Sequence, residues 1–196
     1  MRDRKRTENQ IIKALDKIIL KKGFKGLGVN AVAKEAGVSK ILIYRYFDDF
    51  NGLLSAWALK NSYWVGRMKA PDLSNGILHA GTAVLWEQAD ALISNPVLRE
   101  VERWLLAEET EAGDTVMKKL EENGCAISGV LLKKAEVREN IDGHALIALL
   151  TAGIAYLSLK SDRCNVYNGV PLDTEEGWMR IKRTIADILK LSISGT

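Results

Sequence analysis

The chain has 196 residues, 47% of them hydrophobic and only three of them proline, enough apolar material for a substantial core and too little bias for a low-complexity polymer. Charge is uneven: residues 1–50 hold twelve Lys/Arg against six Asp/Glu and the rest sixteen against nineteen, so the net +3 hides a basic first quarter on a slightly acidic body. That distribution suits a protein that offers one end to a polyanion.

The longest apolar run, Ala145 to Leu159, is broken by Thr151, Gly153, Tyr156 and Ser158 and is read as short of the roughly 18 residues of a bilayer span. The charged start, Met1 to Arg6, leads into an amphipathic segment and not an apolar leader. A cytoplasmic protein with no membrane partner is therefore expected. Cys125 and Cys164 lie far apart without a CxxC or Cys/His spacing, and His79 and His144 are isolated, so no metal site and no cofactor are expected. Phosphate loops, nucleophile elbows and clustered histidines are also missing, which leaves no catalytic residue to name and argues against an enzyme.

In chain order the helical period recurs almost everywhere, and nothing alternates as a strand. Thr7 with Gln10 reads as a capping box for a first helix carrying Ile11, Ile12, Leu15, Ile18 and Ile19 on one face, stopped by Gly23. Asn30 reads as the cap of a short second helix, Ala31 to Glu35. Ser39 caps a third, Lys40 to Phe47, and Asp48 or Asp49 a fourth that continues towards Met68. Longer segments come next at Ser74–Ser94, Val97–Glu109, Asp114–Glu139, Gly143–Leu159 and Thr174–Leu191, with Asp162 to Asp173 as the clearest loop. The fold class is all-α.

Residues 30–47, NAVAKEAGVSKILIYRYF, carry the functional signal. Two short helices meet at Ala36-Gly37-Val38-Ser39, where Gly37 permits the left-handed turn, Val38 fills the angle and Ser39 caps the second helix. This is a helix-turn-helix, whose second helix presents its first residues to the major groove of double-stranded DNA. Lys40 can reach a phosphate or guanine, and Tyr44, Arg45 and Tyr46 pair a cation with two hydroxyl-tipped rings. Phe47, on another face, reads as core.

The linked elements Gly23-Phe24, Val29-x-x-Val32-Ala33-x-x-Ala36-Gly37-Val38-Ser39-Lys40, Tyr44-Arg45-Tyr46-Phe47 and Leu53-Leu54 resemble the tetracycline-repressor (TetR) family over roughly residues 7–54. The resemblance implies about nine helices: an N-terminal three-helix DNA-binding domain, placed at residues 1–50, and a larger helical ligand-binding and dimerisation domain, placed at 51–196. It implies DNA contacts from Asn30, Ser39, Lys40, Leu42, Tyr44, Arg45 and Tyr46. It also implies a repressor that binds a palindromic operator as a homodimer and is released by a small effector. Two departures stand out. Asp48-Asp49-Phe50 occupies the opening of helix 4, where the family commonly has a basic residue, and Ile41 and Leu42 favour thymine-methyl contacts over hydrogen-bonded readout.

In the body, Trp86, Trp104, Met117 and Tyr156 are candidates to line a mostly apolar effector cavity. The helices near 143–159 and 174–191 are the candidates for self-association. One carries Ala145, Ala148, Leu149, Ala152, Ile154 and Ala155, and the other Trp178, Ile181, Ile185, Ile188 and Leu189.

Overall fold

The structure, a computed structural model, describes residues 2–62 and 71–193. Nine α-helices lie among the described residues: α1 Arg2–Lys22, α2 Val29–Ala36, α3 Lys40–Phe47, α4 Phe50–Asn61, α5 Ile77–Ser94, α6 Pro96–Ala107, α7 Glu111–Leu132, α8 Gly143–Ser161 and α9 Glu175–Ser192. The continuation of α4 towards Met68, with Trp64, lies outside the described residues. The chain divides into two compact units, Met1–Gly66 with Pro96–Glu121, and Arg67–Asn95 with Glu122–Thr196.

The first unit is built on the apolar stripe of α1. Ile11, Leu15 and Ile19 are buried with Val32 of α2, Ile43 of α3, Leu53 and Trp57 of α4, Val101 of α6 and Val116 of α7. Phe24, Trp57 and Trp104 form an aromatic cluster with ring centroids 5.8 to 6.3 Å apart, inside the favourable range for aromatic pairs. The indole Nε1 of Trp57 donates to Asp16 Oδ1 at 2.8 Å, so the largest buried side chain leaves no unsatisfied donor.

Two expected caps are corrected here. α1 begins at Arg2, so Thr7 and Gln10 lie inside it, and the Gln10 amide donates to the carbonyl of Ala36 at 2.6 Å. Helix is continuous there because no breaker stands between Arg2 and Thr7, and Arg4 pairs with Glu8 one turn on, 2.7 Å away. Asn30 is not the cap of α2. Gly28 is, in extended conformation, its carbonyl accepting from Val32 N at 3.0 Å.

In the second unit α5 packs on α8 and α9, burying Leu85, Ala89 and Leu92 with Ile154, Trp178 and Ile185. Asp142 caps α8 by accepting from His144 N and Ala145 N at 2.9 and 3.0 Å, and Thr174 caps α9 through Gly177 N. A β-carbon on Gly177 would stand 1.6 Å from the carbonyl oxygen of Pro171, so only glycine admits that crossing. The loop after α8 is not strand-free. Val166–Tyr167 and Val170–Pro171 pair as an antiparallel hairpin, β1 and β2, turned by Asn168 and Gly169 with φ of 46° and 77°. Positive φ at both turn residues is what a two-residue type I′ hairpin loop requires.

A further expectation is overturned at α8. Gly143–Ser161 is long and apolar enough to cross a bilayer by length and composition, with mean hydropathy 1.4 and 11% of that window buried. Thr151, Gly153 and Ser158 do not interrupt it, because small residues lower the average little and Thr and Ser hydroxyls return to helix carbonyls. Ile154 and Ser158 face the unit, while Ala145, Ala148, Leu149, Ala152 and Tyr156 form an exposed stripe.

Candidate nucleic-acid interface

The α2–α3 turn is closed by its own backbone. Gly37 sits in the left-handed region (φ 64°, ψ 33°), and Val38 N donates to Ala33 O at 3.0 Å. Ser39 then accepts from Leu42 N at 3.2 Å and starts α3. Ile43 is fully buried and fixes the roll of the helix, so the opposite side is determined: Lys40, Ile41, Tyr44 and Arg45 are exposed together, Ile41 most of all at 78%. Ser39 is exposed beside them.

The other candidates lie around this face. Leu42 is half-buried on its flank. Tyr46 is half-buried with the Arg4 guanidinium 5.1 Å above its ring, a cation–π contact that ties the first turns of α1 to α3. Asn30 is exposed in the first turn of α2. Phe47 packs against the first unit's core. Arg4 is the residue that sequence reasoning misses, since its contact with Tyr46 spans 42 positions and no local pattern announces it.

The corner after α3 is tight. Asp48 has φ 65° and ψ −55°, and Asp49 N donates to Phe47 O at 2.8 Å, a γ-turn centred on Asp48. The Asp49 carboxylate then accepts from Gly52 N at 2.6 Å and caps α4. Both aspartates are exposed.

The effector candidates fall two in each unit. Trp104 is buried in the first unit's aromatic cluster and Met117 is exposed on α7. In the second unit, half-buried Trp86 donates from Nε1 to Lys182 O at 3.1 Å and carries the Lys182 ammonium 5.6 Å from its ring centroid. Lys182 is also paired with Asp90 at 2.5 Å. Tyr156, half-exposed, meets Tyr167 of the hairpin at 5.9 Å. Of the two candidate dimer helices, α8 presents the exposed apolar stripe. The stripe on α9 is half-buried or buried within the second unit, with Leu191 exposed beyond it.

Residues 11–56 match the family model described as bacterial regulatory proteins, tetR family. Solved structures share the fold along nearly the whole chain. NalD, the secondary repressor of the MexAB-OprM multidrug efflux pump in Pseudomonas aeruginosa, is 16% identical with a TM-score of 0.69, covering 98% of each chain. HlyIIR, a hemolysin II transcriptional regulator, is 17% identical with a TM-score of 0.64, covering 94% of this chain and 99% of its own. A TetR-family protein from Vibrio parahaemolyticus is 18% identical with a TM-score of 0.61, covering 93% and 97%. No curated protein matches the chain by sequence.

Proposed function

We infer that this chain, a transcriptional regulator of the tetR family by its residues 11–56, is a ligand-responsive repressor that binds a palindromic operator as a homodimer. Residues 1–50 act as the DNA-binding domain and 51–196 as the ligand-binding and dimerisation domain. The observation that carries the reading is the face of α3: Lys40, Ile41, Tyr44 and Arg45 exposed together on a helix held from behind by Ile43 and capped by Ser39. Lys40 meets a base or phosphate, Tyr44 a phosphate, and Ile41 with Leu42 the methyl groups of thymine. Ser39, Asn30, Arg45 and Tyr46 complete the contact surface.

The exposed stripe of α8 supports the dimer. A helix this apolar and this exposed gains by covering Ala145, Ala148, Leu149 and Ala152 with their symmetry mates, at about 25 cal/mol per Å². α9 joins the same interface through its end near Leu191. Two recognition helices so held meet successive major grooves about 34–36 Å apart. A small, largely apolar effector, with half-buried Trp86 of the second unit as its candidate contact, favours a conformation with the wrong separation and releases the operator. The protein works in the cytoplasm, where its DNA is.

Footprinting on the DNA flanking its own gene tests the reading. A protected palindrome with half-sites one helical turn or a multiple apart supports it. Absence of any protected site there and in a selection from random duplex would refute it.

A further inference from the structure

We propose that the groove between α1 and α2 is a second phosphate-binding element that grips the DNA backbone beside the recognition helix and stands in for a phosphate anchor at the start of α4. The inference deepens the DNA-binding reading and rests on it.

The start of α4 is a poor anion site. Its Gly52 N–H is already taken by the Asp49 carboxylate, and Asp48 and Asp49 are both exposed there, so an approaching phosphate meets two negative charges. The free N–H groups that make a helix start attractive to phosphate are offset by the carboxylates in front of them.

The groove on α1 has the opposite character. It encloses about 610 Å³ and is lined from α1 by Arg6, Asn9, Gln10, Lys13 and Lys17, and from α2 by Glu35. Glu35 lies 3.3 Å from Lys17 and neutralises it. Arg6 and Lys13 have no carboxylate partner among the described residues, and both are exposed. Seven residues apart, they stand on one side of α1 about 10 Å from each other along its axis, far enough to reach separate phosphates. Between them the Asn9 carbonyl accepts from the Lys60 ammonium at 2.7 Å, which turns its amide N–H groups to other partners and adds a third cation nearby.

The groove is fixed to the reading surface at both sides. Gln10 donates to Ala36 O at 2.6 Å, at the last residue of α2 before the turn, and Arg4 lies over Tyr46 of α3. All of these belong to one compact unit. When α3 enters a major groove, α1 is carried to the flanking backbone, where cations hold phosphates in register without reading bases.

The test is equilibrium binding of the full chain to a duplex selected from random sequence, measured across salt concentrations. Wild type is compared with Arg6→Gln/Lys13→Gln and with a control of equal net charge, Lys133→Gln/Lys134→Gln, exposed in the second unit. The first pair is expected to flatten the slope of log affinity against log salt by about 2 per protomer, close to one for each phosphate no longer neutralised. Trimming the duplex flanks is expected to weaken wild type several-fold and this variant little. An unchanged slope in Arg6→Gln/Lys13→Gln, or an equal flattening in the control, overturns the proposal while leaving DNA binding intact. Failure of wild type to bind any duplex would remove the DNA-binding reading itself, and this inference with it.

Discussion

The carbonyl oxygen of Phe47 stands 2.0 Å from where a β-carbon on Gly52 would lie, so the end of α3 and the first turn of α4 touch backbone to backbone. Together with the γ-turn at Asp48 and the Asp49 cap, this makes the corner stiff. Any displacement of α4 is passed to α3 with little slack.

Gly52→Ala therefore forces the corner open. A β-carbon cannot be placed without moving backbone, at a cost of about 1–3 kcal/mol. The expected result is a lower denaturation midpoint and weaker operator binding. Asp48→Gly should act oppositely, relieving a non-glycine residue at positive φ by about 1 kcal/mol and removing a negative charge beside the DNA. Urea denaturation of both variants checks the pair, and a Gly52→Ala protein as stable as wild type would discount the contact.

Tyr44→Ala and Lys40→Ala remove side chains from the exposed face of α3 and leave its buried face unchanged. Each should weaken operator binding by about 1–3 kcal/mol with nearly unaltered thermal stability. Gel-shift titration alongside melting curves separates these effects. If both variants bind like wild type, the DNA face lies elsewhere.

Glu102, largely buried on α6, has a carboxyl pKa raised by desolvation. A carboxyl that is easier to protonate in the folded state than in the unfolded one contributes stability below its ordinary range and loses it as pH rises through the raised value. Glu102→Gln removes this dependence. The variant should gain on wild type in chemical denaturation as pH rises from about 4 to 7. A constant difference across that range would mean that Glu102 is not the source.

Ala152→Glu places a carboxylate on the exposed apolar stripe of α8, between Leu149 and Tyr156. In a separated protomer the new charge is solvated and costs little. Across a close helix pair it is buried without a partner. Light scattering should find wild type as a dimer and the variant at half that mass, with its helix content retained. A wild-type mass that stays monomeric at every concentration would refute the interface.

What is legible in the sequence depends on how far apart the interacting residues lie. The α2–α3 turn reads directly because Gly37 and Ser39 act within four residues of themselves, and α3 runs from Lys40 to Phe47 as the pattern predicts. Helix starts at Asp142 and Thr174 arise from the same local chemistry. The hairpin is also locally encoded: Asn168-Gly169 between Val166-Tyr167 and Val170 is a strong two-residue turn signal, masked by the polar loop around it. Contacts such as Trp104 on Phe24, Gln10 on Ala36 and Arg4 on Tyr46 depend on tertiary packing, and no period reveals them.

Release by an effector makes the remaining prediction. Among the described tryptophans, Trp57, Trp104 and Trp178 are buried, whereas Trp86 is half-buried in the second unit beside Lys182. A small apolar compound that binds there should change the indole emission, and Trp86→Phe should remove most of that change. Binding can loosen the operator only if the compound prefers the conformation that DNA disfavours. The coupling is then reciprocal: a compound that lowers operator affinity about 5- to 150-fold must itself bind the operator complex more weakly by the same factor. Titrating the compound into free protein and into protein saturated with operator measures both sides of that cycle. Equal affinity for the two forms would show that the compound does not release DNA, and the regulator would then need a different signal.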